Sequence, residues 1–113
     1  MPLPGVEAAV VDAAKIRDYL ISTSHPVGRF KSAFFMALGY TAVEWATLAR
    51  ALRIHAAENE AVATEINEYG QKYEVRGKIQ GPSGRAATVV AVWIVLHGED
   101  FPRFVTAFPG ARP

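Results

Sequence analysis

Apolar residues recur with two different periods along this chain, and the change of period divides it in two. Up to about residue 57 they return every three or four positions, as on one face of an α-helix. From residue 71 they alternate with charged residues, so that Tyr73, Val75 and Ile79 are spaced by polar side chains. This alternation is typical of a β-strand with one solvated face. The pattern predicts an α+β fold, with N-terminal helices packed on one face of a three- to four-stranded antiparallel meander.

Local signals mark where the predicted helices begin and end. Asp12 is a good N-cap for a first short helix, and Thr41 with Glu44 forms a capping box at the start of a third. Between them a second helix is predicted over Val27 to Leu38. Gly39 then suits the left-handed backbone conformation that ends a helix.

Each of the longer helices has a predicted buried stripe, obtained by placing residues about 100° apart. In the second helix the stripe consists of Val27, Phe30, Phe34, Ala37 and Leu38. In the third helix it consists of Trp45, Leu48, Ala49, Leu52 and Ala56. His55 lies beside this second stripe and is interpreted as a bystander.

The second half of the chain is predicted to form the sheet. Strands are expected over Gln71 to Gln80, over Ala86 to Leu96, which is apolar on both faces and therefore central, and over Phe101 to Phe108. The less regular Glu58 to Gly70 is a linker or carries a short strand over Ala61 to Ile66. The prediction is a single domain, 1–113, divided into a lead-in (1–11), a helical part (12–57), the linker or short strand (58–70) and an antiparallel sheet (71–109).

Composition narrows the class of protein. At 113 residues the chain is long enough for one hydrophobic core. The absence of cysteine excludes disulfides, thiol catalysis and cysteine-ligated zinc, and the three histidines lack metal-ligand spacing. No apolar run reaches the ~20 residues of a membrane span, and no signal peptide is recognisable. We expect a cytoplasmic protein without metal, cofactor or membrane contact.

Three blocks of sequence resemble a known family. They are HPVGRFK-SAFF-x-x-LGY from residue 25, YGQKYEVRG-x-I-x-GPSGR from residue 69 and FPRFVTAFP from residue 101. Together they cover roughly residues 12 to 109 and resemble a small bacterial domain of unknown function, found as stand-alone chains and as the C-terminal module of contact-dependent and other polymorphic toxins. Such modules are often ribonucleases, and helices followed by a meander are similar to the barnase, colicin and RelE-like metal-independent ribonuclease architecture. The resemblance implies RNA as substrate and a cognate antitoxin or immunity protein as partner.

Metal-independent RNA cleavage requires three kinds of chemical group. It needs a base for the 2′-hydroxyl proton, an acid for the leaving 5′-oxygen and cations for the charge on the phosphorane. An unperturbed imidazole titrates near pH ~6.5, so His25 can serve as acid or base, while Lys31 and Arg103 supply positive charge. These three are the predicted catalytic residues. The residues predicted to bind substrate are Arg29, Tyr69, Tyr73 and Thr106.

Each of these residues also has a purely structural interpretation. His25, which precedes a proline, can cap the second helix. Arg103 can form a surface ion pair with Glu99 or Asp100, a kind of interaction that contributes little to stability. The alternating charges of the predicted strand 71–80 fit an ordinary solvated strand face.

Two other kinds of function stay open from the sequence. One is a non-catalytic binding module, antitoxin-like or adaptor-like, that works through the open face of the sheet or through an edge strand. The other is a homodimer, in which a second copy covers Val90, Val92 and Ile94 on the side of the sheet not taken by Ala91 and Trp93.

Overall fold

A short 3₁₀-helix (Val6–Ala8) and three α-helices precede four strands in the structure, a computed structural model that describes residues 1–17 and 29–110. For residues 29–31 the description is limited to the backbone. The end of the first predicted helix, the connection that contains His25 and the first residues of the second predicted helix lie outside the described residues. The elements are α1 (Ala13–Lys15), α2 (Arg29–Ala37), α3 (Trp45–Glu58), β1 (Ala61–Ile66), β2 (Gly70–Gln80), β3 (Ala86–Leu96) and β4 (Pro102–Pro109).

The four strands form one antiparallel sheet in the order β1-β2-β3-β4. This confirms the predicted α+β fold, with N-terminal helices on one side of an antiparallel meander. The strand suggested over Ala61 to Ile66 is present with those bounds. It is the first strand of the sheet and forms one of its edges, since it pairs only with β2.

The helix ends follow the predicted local chemistry only in part. The carboxylate of Asp12 accepts a hydrogen bond of 2.9 Å from the backbone N–H of Ala14, as an N-cap does. The Glu44 N–H donates to the Thr41 hydroxyl at 3.2 Å, but this bond lies in the turn before α3: the helix begins at Trp45, and its N-cap Glu44 makes no side-chain capping bond. Gly39 follows α2 with a φ of 103°, a conformation that side chains with a Cβ rarely adopt.

The buried face of α2 differs from the prediction. Phe35 and Leu38 are buried together with Ser32, whereas Ala37, which the helical angle placed on the buried stripe, is exposed. Phe34 is half-buried and packs edge-on against Phe35, with ring centroids 5.0 Å apart. Two adjacent phenylalanines give the helix two candidate apolar faces, and packing against the rest of the core selects the one centred on Phe35.

The core lies between the helices and one face of the sheet. On α3, four of the five residues of the predicted stripe are buried and Trp45 packs partly buried against them. The indole of Trp93 meets the ring of Phe104 edge-on at 5.5 Å between centroids. Burying a large apolar side chain of this kind stabilises a fold by roughly 1.5–3 kcal/mol. The sheet residues in this core are Ala61, Val75, Ile79, Val89, Ala91, Trp93, Phe104 and Ala107.

Strand β4 contains a β-bulge at Val105, which the sequence pattern did not reveal. The pairing of β4 with β3 shifts by one residue here, so Val105 has no partner of its own. Phe104 and Ala107, three residues apart, consequently both belong to the core. By the same shift, Arg103 and Thr106 both lie on the other face of the sheet. In a regular strand, residues three positions apart would point to opposite faces.

The outer edge of β4 is covered by the extended backbone around Val10. Val10 forms a parallel bridge with Arg103, its N–H donates to the Pro102 carbonyl at 2.9 Å, and its carbonyl accepts from the Phe104 N–H at 2.9 Å. This extended segment therefore protects one edge of the sheet from further strand pairing.

Candidate functional site

The side of the sheet that faces away from the helices carries the charged residues of β2, and we call it the open face. The pairing register and the alternation of side chains along a strand define its members. They are Lys72, Glu74, Arg76 and Lys78 of β2, Thr88, Val90, Val92 and Ile94 of β3, and Arg103, Thr106 and Phe108 of β4. These members include four cations and one acidic residue, and two of the cations are paired with neighbouring carboxylates, Arg103 with Glu99 and Lys72 with Glu65, so the face has a small net positive charge.

Two of the cations lie in one row across three strands. Lys72 of β2 and Arg103 of β4 both pair with Ile94 of β3, so they flank it at about two strand spacings, ~10 Å between backbones. In the next row, Thr106 of β4 pairs with Val92. The bulge thus places a hydroxyl and a guanidinium on the same face of the sheet, in neighbouring rows.

Arg103 is held in a defined position by its neighbours. Its Nε and Nη2 donate to the two carboxylate oxygens of Glu99, each at 2.9 Å, and its guanidinium carbon lies 5.0 Å from the ring centroid of Phe101. The hydrogen bond lowers the pKa of Glu99 and raises the pKa of Arg103, so both groups stay charged. Since a guanidinium has five N–H donors, this pair leaves three for another acceptor.

The Arg103 end of the open face adjoins a cleft of about 220 Å³. Asp12, which also caps α1, adds an attractive charge that raises the pKa of Arg103 further. Lys15 adds a second cation to the wall. The cleft combines two cations, one carboxylate and an apolar floor, and its lining residues are Val10, Asp12, Lys15, Ile94, Arg103, Phe104 and Val105.

The structure describes the side chains of four of the seven predicted site residues. Arg103 and Thr106 share the open face. Tyr73 lies on the opposite, helix-facing side, half-buried against the core, and Tyr69 lies exposed in the turn between β1 and β2. Outside the description are His25 and the side chains of Arg29 and Lys31.

His55 is a structural residue that the sequence interpretation missed. It is buried, and its Nε2 lies 3.1 Å from the Gly77 carbonyl and 3.0 Å from the Val89 carbonyl. Nε2 therefore carries the proton and donates, which ties α3 to β2 and β3. Burial lowers the pKa of His55. The signal was present, because His55 follows Leu52 by three positions and precedes Ala56, on the buried side of α3.

The apolar strip of the open face is largely covered within one chain. Val90 is only 2% exposed, and Val92 and Ile94 are half-buried. Gly110 packs over this strip: its N–H donates to the Thr88 carbonyl at 2.9 Å, and a Cβ on it would lie 3.1 Å from Val90 Cγ2. The homodimer stays a prediction, but it has less apolar surface to cover than the sequence indicated.

Within residues 1–17 and 29–110, no three metal-ligating side chains lie close enough together to hold a metal ion. No helix there is both long enough and apolar enough to cross a bilayer. The expectations of a protein without metal or cofactor, and of a cytoplasmic location, stay predictions.

Comparisons with known proteins agree with this architecture. A chain of a contact-dependent growth inhibition toxin–immunity protein complex from Klebsiella pneumoniae 342 is similar, with a TM-score of 0.60 and 24% sequence identity. The similarity covers 88% of this chain and 98% of that chain, and at this identity it shows a shared fold. Curated proteins give no match. The model of a family described as a domain of unknown function, DUF6883, matches residues 2–111. The chain therefore belongs to the DUF6883 family.

Proposed function

We propose that this chain is the toxin-type member of a toxin–inhibitor pair and acts as a metal-independent endoribonuclease. His25 is the acid or base, and Arg103 with Lys31 stabilises the charge on the phosphate. The observation that carries the proposal is the bulge at Val105, which places Arg103 and Thr106 on one positively charged face beside a cleft. Bulges are frequent next to active sites because they re-aim side chains.

The chain connectivity supports a role for His25 at this place. His25 lies between α1 and α2, and both helices contact β4, the strand that carries Arg103. Lys15, at the end of α1, lines the cleft itself. Both described ends of the segment that contains His25 are therefore attached to the strand of Arg103.

The proposed reaction is a transesterification followed by release of product. The RNA 2′-oxygen attacks the adjacent phosphorus and loses its proton to the unprotonated imidazole of His25. The bond from phosphorus to the 5′-oxygen breaks, and water protonates that oxygen. The products are a 2′,3′-cyclic phosphate and a 5′-hydroxyl, and His25 returns its proton to solvent.

Arg103 is suited to the electrostatic part of this reaction. Negative charge builds on the non-bridging oxygens as the phosphorane forms, and donors already fixed in place stabilise it without having to reorganise. Glu99 and the Phe101 ring hold the guanidinium, and Thr106 lies on the same face. Tyr69, exposed at the same end of the sheet, offers a ring on which an unpaired base can stack.

The test is incubation of the purified protein with total RNA and with tRNA in the presence of a chelator. We expect wild type to produce 2′,3′-cyclic phosphate ends, and His25→Ala to be slower by about 10²–10⁴-fold. The exposed His97 provides the matched control, and His97→Ala should cleave like wild type. An inert wild type, or a His25→Ala variant that cleaves equally well, would remove the proposal.

A non-catalytic binding module is the second candidate, and one observation favours it. The edge of the sheet formed by β1 exposes large apolar side chains, as binding surfaces often do. Expression in a host without the inhibitor separates the two functions. A ribonuclease toxin should depress growth and His25→Ala should restore it, whereas a binding module should be tolerated at high level in both forms.

A further inference from the structure

The outer edge of β1 has backbone groups that β2 does not use. The Ala61 N–H donates to the Met1 carbonyl at 2.7 Å, which shows that it points away from β2. Backbone groups alternate in direction along a strand, so those of Ala63 also point outward. Within the described part of the chain, the Met1 contact is the only backbone–backbone hydrogen bond on this edge.

Large apolar side chains are exposed along the same edge. Eight large hydrophobic residues are exposed in the described ranges, and four of them belong to this region. Val62 is 63% exposed and Ile66 is 67% exposed, while Tyr69 follows in the adjoining turn and Met1 pairs with the start of the strand. Single exposed apolar residues are ordinary, but a group of them on an unpaired edge indicates a binding surface.

The same stretch is strongly acidic. Residues 58–68 contain four of the eleven acidic residues of the chain, namely Glu58, Glu60, Glu65 and Glu68. The ammonium group of Met1 lies 3.1 Å from Glu60, and Lys72 Nζ lies 3.8 Å from Glu65. Both contacts are on the surface, and the remaining negative charge selects for a positively charged partner.

A second copy of this chain fits the edge poorly. Two β1 strands paired antiparallel about Ala63 would bring Glu60 and Glu65 of both copies to one seam, although no two of them would lie directly opposite each other. The repulsion between these like charges opposes the pairing of two copies. An extended segment with lysine or arginine instead satisfies the backbone groups, the apolar side chains and the charge together.

We propose that the outer edge of β1 binds an extended, basic segment of a partner protein, which joins the sheet as a fifth strand. In this mode, main-chain hydrogen bonds provide affinity and alternate side chains provide specificity. The identification of that partner as the inhibitor rests on the proposed function. The binding of an extended basic segment to this edge is independent of the proposed function.

The test uses a synthetic peptide and needs no ribonuclease activity. The probe is an acetylated, amidated eight-residue peptide in which lysine and threonine alternate with valine, titrated into ¹⁵N-labelled protein and followed by amide NMR. We expect saturable shifts confined to residues 60–75. A peptide with glutamate in place of lysine should shift these residues far less. Absent shifts, shifts centred elsewhere, or equal binding of the acidic peptide would overturn the proposal.

Substitutions at and away from β1 test whether the peptide binds at this edge. Ala63→Pro blocks an outward N–H and should abolish the shifts, whereas Val43→Lys, at a residue 92% exposed in the turn before α3, should leave them unchanged. Should Ala63→Pro fail to fold, the double variant E60K/E65K replaces it and should reverse the preference to the acidic peptide. A concentration-dependent dimer that Ala63→Pro dissociates would assign the edge to a second copy and overturn the proposal.

Discussion

The two edges of the sheet differ in backbone coverage, side-chain exposure and charge, although both strands have a register shift in their pairing. At β4 the backbone is covered by Val10 and Arg103 is fixed by Glu99. At β1 the backbone is mostly free, the side chains are apolar and exposed, and the surrounding charge is acidic. Catalysis needs side chains held in fixed positions, whereas recognition by strand pairing needs unpaired backbone groups. The β4 edge of this sheet offers the first and the β1 edge offers the second.

A substitution of a buried side chain in β4 should lower stability far more than a substitution at the exposed edge of β1. Phe104→Ala removes a buried ring packed on Trp93 and should lower the free energy of unfolding by about 3–5 kcal/mol. Val62→Thr, at the exposed edge, should change it by less than ~0.5 kcal/mol. Urea unfolding followed by tryptophan fluorescence measures both. Similar losses for the two variants would mean that β1 is as tightly packed as β4.

Acidification should weaken the attachment of α3 to β2 and β3 through His55. Burial lowers the pKa of His55 below its unfolded value of ~6.5. Below that pH the unfolded chain binds a proton that the folded chain does not, so stability falls, by up to ~1.4 kcal/mol per pH unit. Urea unfolding between pH 7.5 and 5.5 measures the slope.

Two histidine variants identify the residue responsible for that slope. His55→Gln is neutral throughout this range and should flatten the pH dependence, although it lowers stability at every pH. His97→Asn replaces an exposed histidine and should keep the wild-type slope. A slope that survives in His55→Gln would show that another group causes it.

A pair of proline variants tests the direction of the backbone groups in β1, with a smaller effect. Val62 lies next to Ala61, whose N–H points outward, so the Val62 N–H points toward β2. Val62→Pro should cost about 1–2 kcal/mol by removing a hydrogen bond of the sheet, and Ala63→Pro clearly less. The reverse order, measured by thermal unfolding, would mean that the opposite set of N–H groups faces outward.

Much of the fold follows from periodicity and local signals in the sequence. The change from a period of 3.6 to a period of 2 indicated that the helices precede the sheet, and Asp12 indicated the start of α1. Thr41 placed the start of α3 too early, because the N-cap of that helix is Glu44. The predictions that were wrong or incomplete concern features that depend on contacts between distant segments. The buried face of α2 could not be chosen between Phe34 and Phe35 without the sheet, and His55 needed the carbonyls of two strands.

The candidate site was predictable only in part. The spacing of Glu99 and Arg103 suggested their ion pair, which is present. Their position on the open face with Thr106 depends on the bulge at Val105, and an extra residue in a strand leaves no mark in the hydrophobic pattern. Tyr73 was predicted to bind substrate together with Arg103. The alternation of side chains along β2 had already placed it on the apolar side of the strand, where it packs against the core and not on the face that carries Arg103.

The rate of RNA cleavage by an Arg103 variant tests most directly whether the β4 side of the sheet is the place of chemistry. Arg103→Gln removes the positive charge from the open face, and Arg85→Gln removes one from the exposed loop between β2 and β3. We expect a single-turnover rate constant about 10²-fold lower for Arg103→Gln and unchanged for Arg85→Gln. Equal rates for the two variants would contradict this expectation.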